Sequence, residues 1–273
     1  MVYYKKSERE VTQLKVIDVS QYNGVINWKK VAKHCDGVII RVGYRGYGSA
    51  SLVKDKRLGY NLTNASLNRI PLGVYFVTQA ITEKEAKEEA RFAVNLVKKY
   101  KLTYPIFIDS ENANGGKGRA DAGKLTKSKR TAILKAFCDE VKKLGYDGGV
   151  YASQSWFVDY TNLKELSKYF IWCAKYSSTA PSIKYDAWQY MSKGTIDGIP
   201  GYVDVSNFYK KSKSTDTKKK TEKKKEAKKK SAETIAKEVI AGKWGNGEER
   251  KNKLKKAGYD YKIIQKLVNK LLK

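Results

Sequence analysis

The stretch IFIDSEN, residues 106–112, ends an apolar run with two carboxylates two positions apart. The branched and aromatic side chains of Ile106–Ile108 suit a buried strand. On a strand, residues two apart share a face and lie about 6.5–7 Å apart along the chain. Asp109 and Glu111 are therefore expected to project together from the strand's C-terminal end. The same ending recurs twice: Asp18 closes the apolar run of KVIDVSQYNG (15–24), and Asp204 lies in GIPGYVDVSNFY (198–209).

Outward from these three, GVIIRVGY (37–44), PLGVYFVT (71–78), GGVYAS (148–153), YFIWCAKY (169–176) and YDAWQY (185–190) read as further buried strands. Between them, residues 83–100 and 128–145 carry helical spacing, each beginning near a Thr or Ser, the second closing on Gly145. Strand alternating with helix over some two hundred residues predicts an α/β domain with a parallel sheet. A closed, irregular β/α barrel fits that count best, with an open doubly wound sheet as the alternative. In a barrel the C-terminal strand ends surround one mouth, so four acids would gather there.

The chain divides into three sections. Residues 1–209 hold the strand–helix pattern, and residues 210–231 hold 12 lysines with Ala227 as the only apolar residue. Such a segment buries no core and reads as an extended linker. Residues 232–273 read as three short amphipathic helices, with Ile235, Val239, Ile240, Leu254, Ile264, Leu267, Val268 and Leu271 as their expected core.

Composition narrows the partners. The chain has 56 Lys and Arg against 28 Asp and Glu, a formal net charge of +28, which favours an anionic polymer. Basic residues are spread over all three sections with no recognised nucleic-acid motif, so no nucleic acid is expected. Cys35, Cys138 and Cys173 are widely spaced and His34 is the sole histidine; a disulfide framework and a zinc site are both disfavoured. No Asp-rich loop accompanies the acids, so no metal and no cofactor is expected. MVYYKKSEREVTQL at the N-terminus lacks the apolar core of a signal peptide, and no run approaches a membrane span. Synthesis in a cytoplasm without membrane insertion is the expectation.

Clustered acids suggest a division of labour. Neighbouring charge and partial burial raise one carboxyl so that it serves as a general acid, while another stays ionised to stabilise a cationic sugar carbon. Tyr75, Tyr151, Trp172, Tyr176, Trp188 and Tyr190 fall at or beside strand ends, where sugar rings would stack; core packing is the alternative use of each.

These residues carry a resemblance. DVSQYNGVINW (18–28), the D-x-E of IDSE (108–111), YFIWCAKY, AWQY (187–190) and the late GYVDVS together resemble the lysozymes of glycoside hydrolase family 25. The resemblance implies an irregular β/α barrel that cuts the β-1,4 bond between N-acetylmuramic acid and N-acetylglucosamine. It implies Glu111 as general acid/base, and Asp109, Asp18 and Asp204 as its supporting acids, with Asp109 or Asp204 as the electrostatic stabiliser. Retention of configuration through the substrate's own N-acetyl group is also implied. It adds Gln189 of AWQY to Tyr75, Tyr151, Trp172, Tyr176 and Trp188 as expected substrate contacts. Two departures stand out: Ser110 replaces an apolar residue inside D-x-E, and Asn27 precedes Trp28 where Asp is usual.

IAKEVIAGKWGNGEERKNKLKKAGYDYKIIQKLVN (235–269) is similar to the short cell-wall-binding repeat of choline-independent endolysins. That similarity implies recognition of a muropeptide, with Trp244, Arg250 and Tyr259 as expected contacts on their chemistry. A single copy leaves room for dimerisation through the repeat. Peptidoglycan and anionic wall polymers are thus the expected partners, reached after release from the host cytoplasm in the manner of a phage endolysin. A non-catalytic wall-binding protein on a degenerate barrel is the competing reading, and the four acids argue against it.

Overall fold

Strand closure decides the architecture. The computed structural model describes residues 11–113, 115–211 and 232–271. In chain order the first unit contains β1 (Val11–Val19), α1 (Trp28–Val31), β2 (Gly37–Arg45), β3 (Leu52–Lys54), α2 (Leu58–Leu67), β4 (Leu72–Val77), α3 (Glu83–Val97) and β5 (Ile106–Asp109). It continues with α4 (Lys127–Lys143), β6 (Gly148–Ser153), α5 (Gln154–Tyr160), α6 (Leu163–Leu166), β7 (Phe170–Ala174), β8 (Ala187–Gly194) and β9 (Val203–Lys211). Neighbours run β1-β9-β8-β7-β6-β5-β4-β2-β3, and β1 also pairs with β2. That last pairing closes eight strands into a barrel and excludes the open doubly wound sheet. β3 is an extra strand, antiparallel to β2.

The barrel is irregular because β9 runs antiparallel to both its neighbours, β1 and β8. The β1–β9 register runs from Val11↔Lys211 to Asp18↔Asp204. Asp204 therefore stands near the start of its strand, and the reversed direction still brings it to the end of the barrel where β1 finishes. β9 also takes up residues 210 and 211, which the sequence assigns to the linker. The remainder of that linker lies outside the described residues.

Side-chain alternation sorts the strands into two cores. Val16, Ile39, Phe107, Tyr151, Trp172, Ala187 and Phe208 pack inside the barrel, and the opposite strand faces pack against the helices. Phe107 lies edge-on to Trp172 at 5.1 Å and to Phe170 at 5.5 Å. Room for these rings comes from glycine: a methyl at Gly149 would lie 2.5 Å from the Phe107 ring, and one at Gly73 would lie 2.6 Å from Ile39 Cδ1. Interior layers in β/α barrels alternate large and small side chains in this way.

Helix starts follow their capping residues. Thr82 Oγ1 accepts from Glu85 N–H at 3.2 Å to begin α3, and Thr126 Oγ1 accepts from Lys129 N–H at 3.2 Å to begin α4. Cys138 and Cys173 are buried and Cys35 is half-buried, all three as free thiols.

The second unit is a separate three-helix body of α7 (Ala232–Ile240), α8 (Gly247–Lys256) and α9 (Tyr261–Leu271). Its core is Ile235, Ala236, Val239, Leu254, Ile264 and Val268, with Leu267 half-buried beside it. Ile240 and Leu271, expected in that core, are instead 42 % and 46 % exposed. Each ends its helix, where the apolar stripe has run past the small neighbour it packs on. Among the described residues no helix is long and apolar enough to cross a membrane.

Candidate active site

Four carboxylates meet at the barrel end where β1 and β5 finish. Asp18 is the penultimate residue of β1, Asp109 the last of β5, and Asp204 the second of β9. Glu111 departs from expectation: β5 stops at Asp109, so Glu111 sits in the loop beyond it rather than on the strand face. Asp109 is buried at 3 % and Asp18 at 7 %, Asp204 is half-buried, and Glu111 is exposed. The strand ends thus hold acids in the floor, and the loop carries one acid at the rim, exposed on one side and only partly solvated.

Their charges act on one another. Burial, then Asp204, raises Asp18 well above the usual carboxylate range, with Glu111 adding to it and Gln189 opposing. Burial, then Glu111 and Asp18, raises Asp109, while Arg41 pulls it down. Restricted solvation, then Asp204, raises Glu111. Burial pushes Asp204 up to about 6. All four acids are thus raised together, Asp18 and Asp109 most strongly, and Glu111 is the solvent-reachable member of a cluster whose protons are shared.

Gln189 ties the floor together. Its Nε2 donates to Asp18 Oδ2 at 2.8 Å, and its Oε1 accepts from Tyr151 OH at 2.7 Å and Tyr176 OH at 2.9 Å. Tyr75, half-buried, also feels the acids: burial and then Asp18 raise its hydroxyl well above the ordinary phenol value. Asp109 Oδ1 is buried with no hydrogen-bond partner.

Two expected sugar contacts lie elsewhere. Trp172 is 2 % exposed inside the barrel, its Nε1 donating to Ser206 Oγ at 3.0 Å; it is a core ring below the acids. Trp188 sits between Ala187 and Gln189, on the opposite face of β8 from Gln189, with its Nε1 donating to the Lys175 carbonyl at 2.7 Å. Tyr190 shares that outer face and packs on the helix-side core, 5.8 Å from the Trp188 ring. A strand end supplies aromatics to either face, and only the phase of alternation separates them.

The structure adds Arg41, Tyr22 and Tyr202. Arg41 is buried, donates from Nε to Asp55 Oδ2 at 2.8 Å, and holds its guanidinium 4.8 Å from the centroid of the Tyr22 ring. Asp55 is fully buried and also accepts from Gln21 N–H at 3.1 Å and Arg57 N–H at 2.9 Å. Tyr22 and Tyr202 are 80 % and 63 % exposed, following β1 and preceding β9. With Tyr176, they are exposed rings on segments that adjoin the acids. A lone Arg within the apolar run 37–44 was the available signal for the first.

In the second unit, Trp244 and Tyr259 pack edge-on at 6.1 Å against the small core, and Trp244 Nε1 donates to Glu238 Oε2 at 3.1 Å. Arg250 spends its donors internally, on the Gly245 carbonyl at 2.9 Å, Asn246 Oδ1 at 2.8 Å and Gln265 Oε1 at 3.4 Å. All three expected wall contacts therefore have internal partners.

Comparison with known proteins places this geometry. The family model for glycosyl hydrolases family 25 matches residues 17–199, and that for the CW_7 repeat matches residues 233–272. The chain is 29 % identical over 206 residues to the lysozyme of Streptococcus phage Cp-7, covering 74 % of this chain and 56 % of that one. It is 26 % identical over 201 residues to lysozyme M1 of Streptomyces globisporus, covering 70 % and 66 %. It thus spans less than two thirds of either relative's length. Among solved structures, the modular autolysin LytC of Streptococcus pneumoniae aligns with a TM-score of 0.63 and 35 % identity over 72 % of this chain and 47 % of that one. A further structure of LytC holds a synthetic peptidoglycan ligand. The chain belongs to the glycosyl hydrolases of family 25, with a CW_7 repeat at residues 233–272.

Proposed function

We propose that the chain is a peptidoglycan hydrolase that cuts the β-1,4 bond between N-acetylmuramic acid and N-acetylglucosamine. The observation that carries this reading is the exposed Glu111 clustered with Asp18, Asp109 and Asp204, its proton affinity raised by restricted solvation and then by Asp204. Glu111 would protonate the leaving oxygen as general acid and then take a proton from water as general base. Asp109 or Asp204 would stabilise the positive charge that develops at the sugar. The unpartnered Asp109 Oδ1 suits Asp109 to receive an N–H from the substrate's acetamido group, whose carbonyl would act as nucleophile with retention of configuration. Tyr75, Tyr151, Tyr176 and Gln189 would line the sugar subsite.

The CW_7 repeat would hold the enzyme on the wall, helped by the basic charge of the chain and by anionic wall polymers. Wall attachment of this kind weakens with salt. Self-association through the repeat is a second use that a single copy permits. Synthesis in the host cytoplasm and action after release complete the reading.

Glu111→Gln tests it: folding and wall binding should persist while hydrolysis falls by orders of magnitude. Full activity in that variant would sink the assignment.

A further inference from the structure

The backbone on both sides of Glu111 is held far more firmly than an exposed loop residue requires. On the preceding side, Ser110 is 2 % exposed, and its N–H donates to the Tyr151 carbonyl at 3.0 Å, extending the β5–β6 ladder one step past the strand. Ser110 Oγ accepts from Trp156 Nε1 at 3.0 Å in a buried bond. On the following side, Asn112 Oδ1 accepts from Ala122 N–H at 2.9 Å, and Asp121 Oδ1 accepts from Ala113 N–H at 2.8 Å.

Trp156 is itself fixed from three directions. Its N–H donates to Ser153 Oγ at 3.1 Å, setting the start of α5. The Arg130 guanidinium lies 4.6 Å from its ring centroid, and the Tyr160 ring packs at 4.9 Å. Arg130 then reaches the same loop that carries Glu111, donating to the carbonyls of Ala120 at 2.5 Å and Asp121 at 2.9 Å. One buried assembly therefore joins α4, α5 and the loop, and the Trp156–Ser110 bond ties it to the D-x-E segment. An apolar residue between the two carboxylates would have no acceptor to offer that indole.

We propose that Ser110 and Trp156 are positioning residues: their hydrogen bond fixes the backbone from which Glu111 is aimed. The proposal rests on the reading of Glu111 as the acid/base. A positioned acid loses rate steeply with small displacements, and an untethered one gains solvent, so its carboxyl falls back towards the ordinary range.

The test compares Ser110→Ala, Trp156→Phe and the double variant with wild type and Glu111→Gln in the full chain. Initial release of reducing ends from solubilised glycan strands is followed across pH, with thermal melting of each variant. The proposal expects kcat to fall about tenfold or more in each single variant, with KM within about twofold. It expects the double variant to be no worse than the poorer single one, because both changes remove the same bond. The basic limb of kcat/KM, where the acid loses its proton, should move to lower pH. Wild-type kcat in Ser110→Ala, multiplying losses in the double variant, or an unmoved basic limb overturns it, while an inactive Glu111→Gln leaves the acid/base reading standing. An active Glu111→Gln removes that reading and this proposal together. Should Trp156→Phe lose its cooperative melt, Ser110→Ala decides alone through its kcat and its pH limb.

Discussion

Asp18 and Asp204 stand directly opposite each other across the antiparallel β1–β9 pair. Like charges facing each other across two strands destabilise a sheet. Here one of the two is buried and the other half-buried, so the cost of ionising both is larger than on a surface. A stability-driven sequence would place a partner of opposite sign there, and the barrel instead places Glu111 and Asp109 nearby. The rest of the fold sustains the cluster against that cost, as the proposed chemistry requires.

The burial of Asp204 has a pH signature. Asp204 is pushed up to about 6 in the folded chain, against an ordinary value near ~3.9. A raised folded pKa gives stability that is complete below the unfolded value and is lost as pH rises towards the folded one. Asp204→Asn should therefore be more stable than wild type at pH 7 by about 1–2 kcal/mol after allowance for its partial exposure. At pH 4 the gain should largely vanish. Urea unfolding at the two pH values checks it, and an equal loss at both would refute it.

Gln189 holds Asp18 through one end and two tyrosyl hydroxyls through the other. Gln189→Leu strands Asp18 and the Tyr151 hydroxyl in a buried site, while the exposed Tyr176 turns to solvent, which costs about 1–3 kcal/mol. Activity should fall further than stability accounts for, because Asp18 loses the contact that opposes its protonation. Parallel melts and rate measurements separate the two effects.

Gly149 faces the Phe107 ring at a distance that leaves no space for a methyl group. Phe107 cannot retreat, since Phe170 and Trp172 pack against it. Gly149→Ala should cost about 1–3 kcal/mol by overpacking. Chemical denaturation within about half a kcal/mol of wild type would show that the interior has slack.

Outside the mouth, Arg45 donates to the fully buried Glu89 at 2.7 Å, and Thr78 donates to the other oxygen at 2.6 Å. Glu89→Ala leaves the buried guanidinium without its main counter-charge, a loss of about 3–5 kcal/mol. Glu89→Gln, which keeps an acceptor, should lose less. The melting temperatures of the pair give the comparison.

The acids were legible because each closes an apolar run, and strand ends in a barrel converge. Alternation gives the face of a residue but not the direction of its strand, so the antiparallel course of β9 was not readable from GYVDVS. The same limit misplaced Trp172 and Trp188: both belong to strands that reach the mouth, and one turns into the core while the other turns outward. Glu111 fell off its strand because β5 ends at Asp109, two residues earlier than the D-x-E spacing suggests. Arg41 went unnoticed because its partner Asp55 lies beyond β3, a strand too short to signal itself. Ile240 and Leu271 follow the apolar period of their helices, and periodicity alone does not tell where a small partner stops covering it.

The most direct test of the account is chemical. Purified peptidoglycan is digested, the soluble products are reduced with borohydride, and mass spectrometry identifies the sugar that carries the reduced end. Reduced muramic acid is the predicted result, with Glu111→Gln giving none. Reduced glucosamine would place the cut at the other bond of the repeat, and no new reduced end from the wild-type chain would contradict glycan hydrolysis altogether.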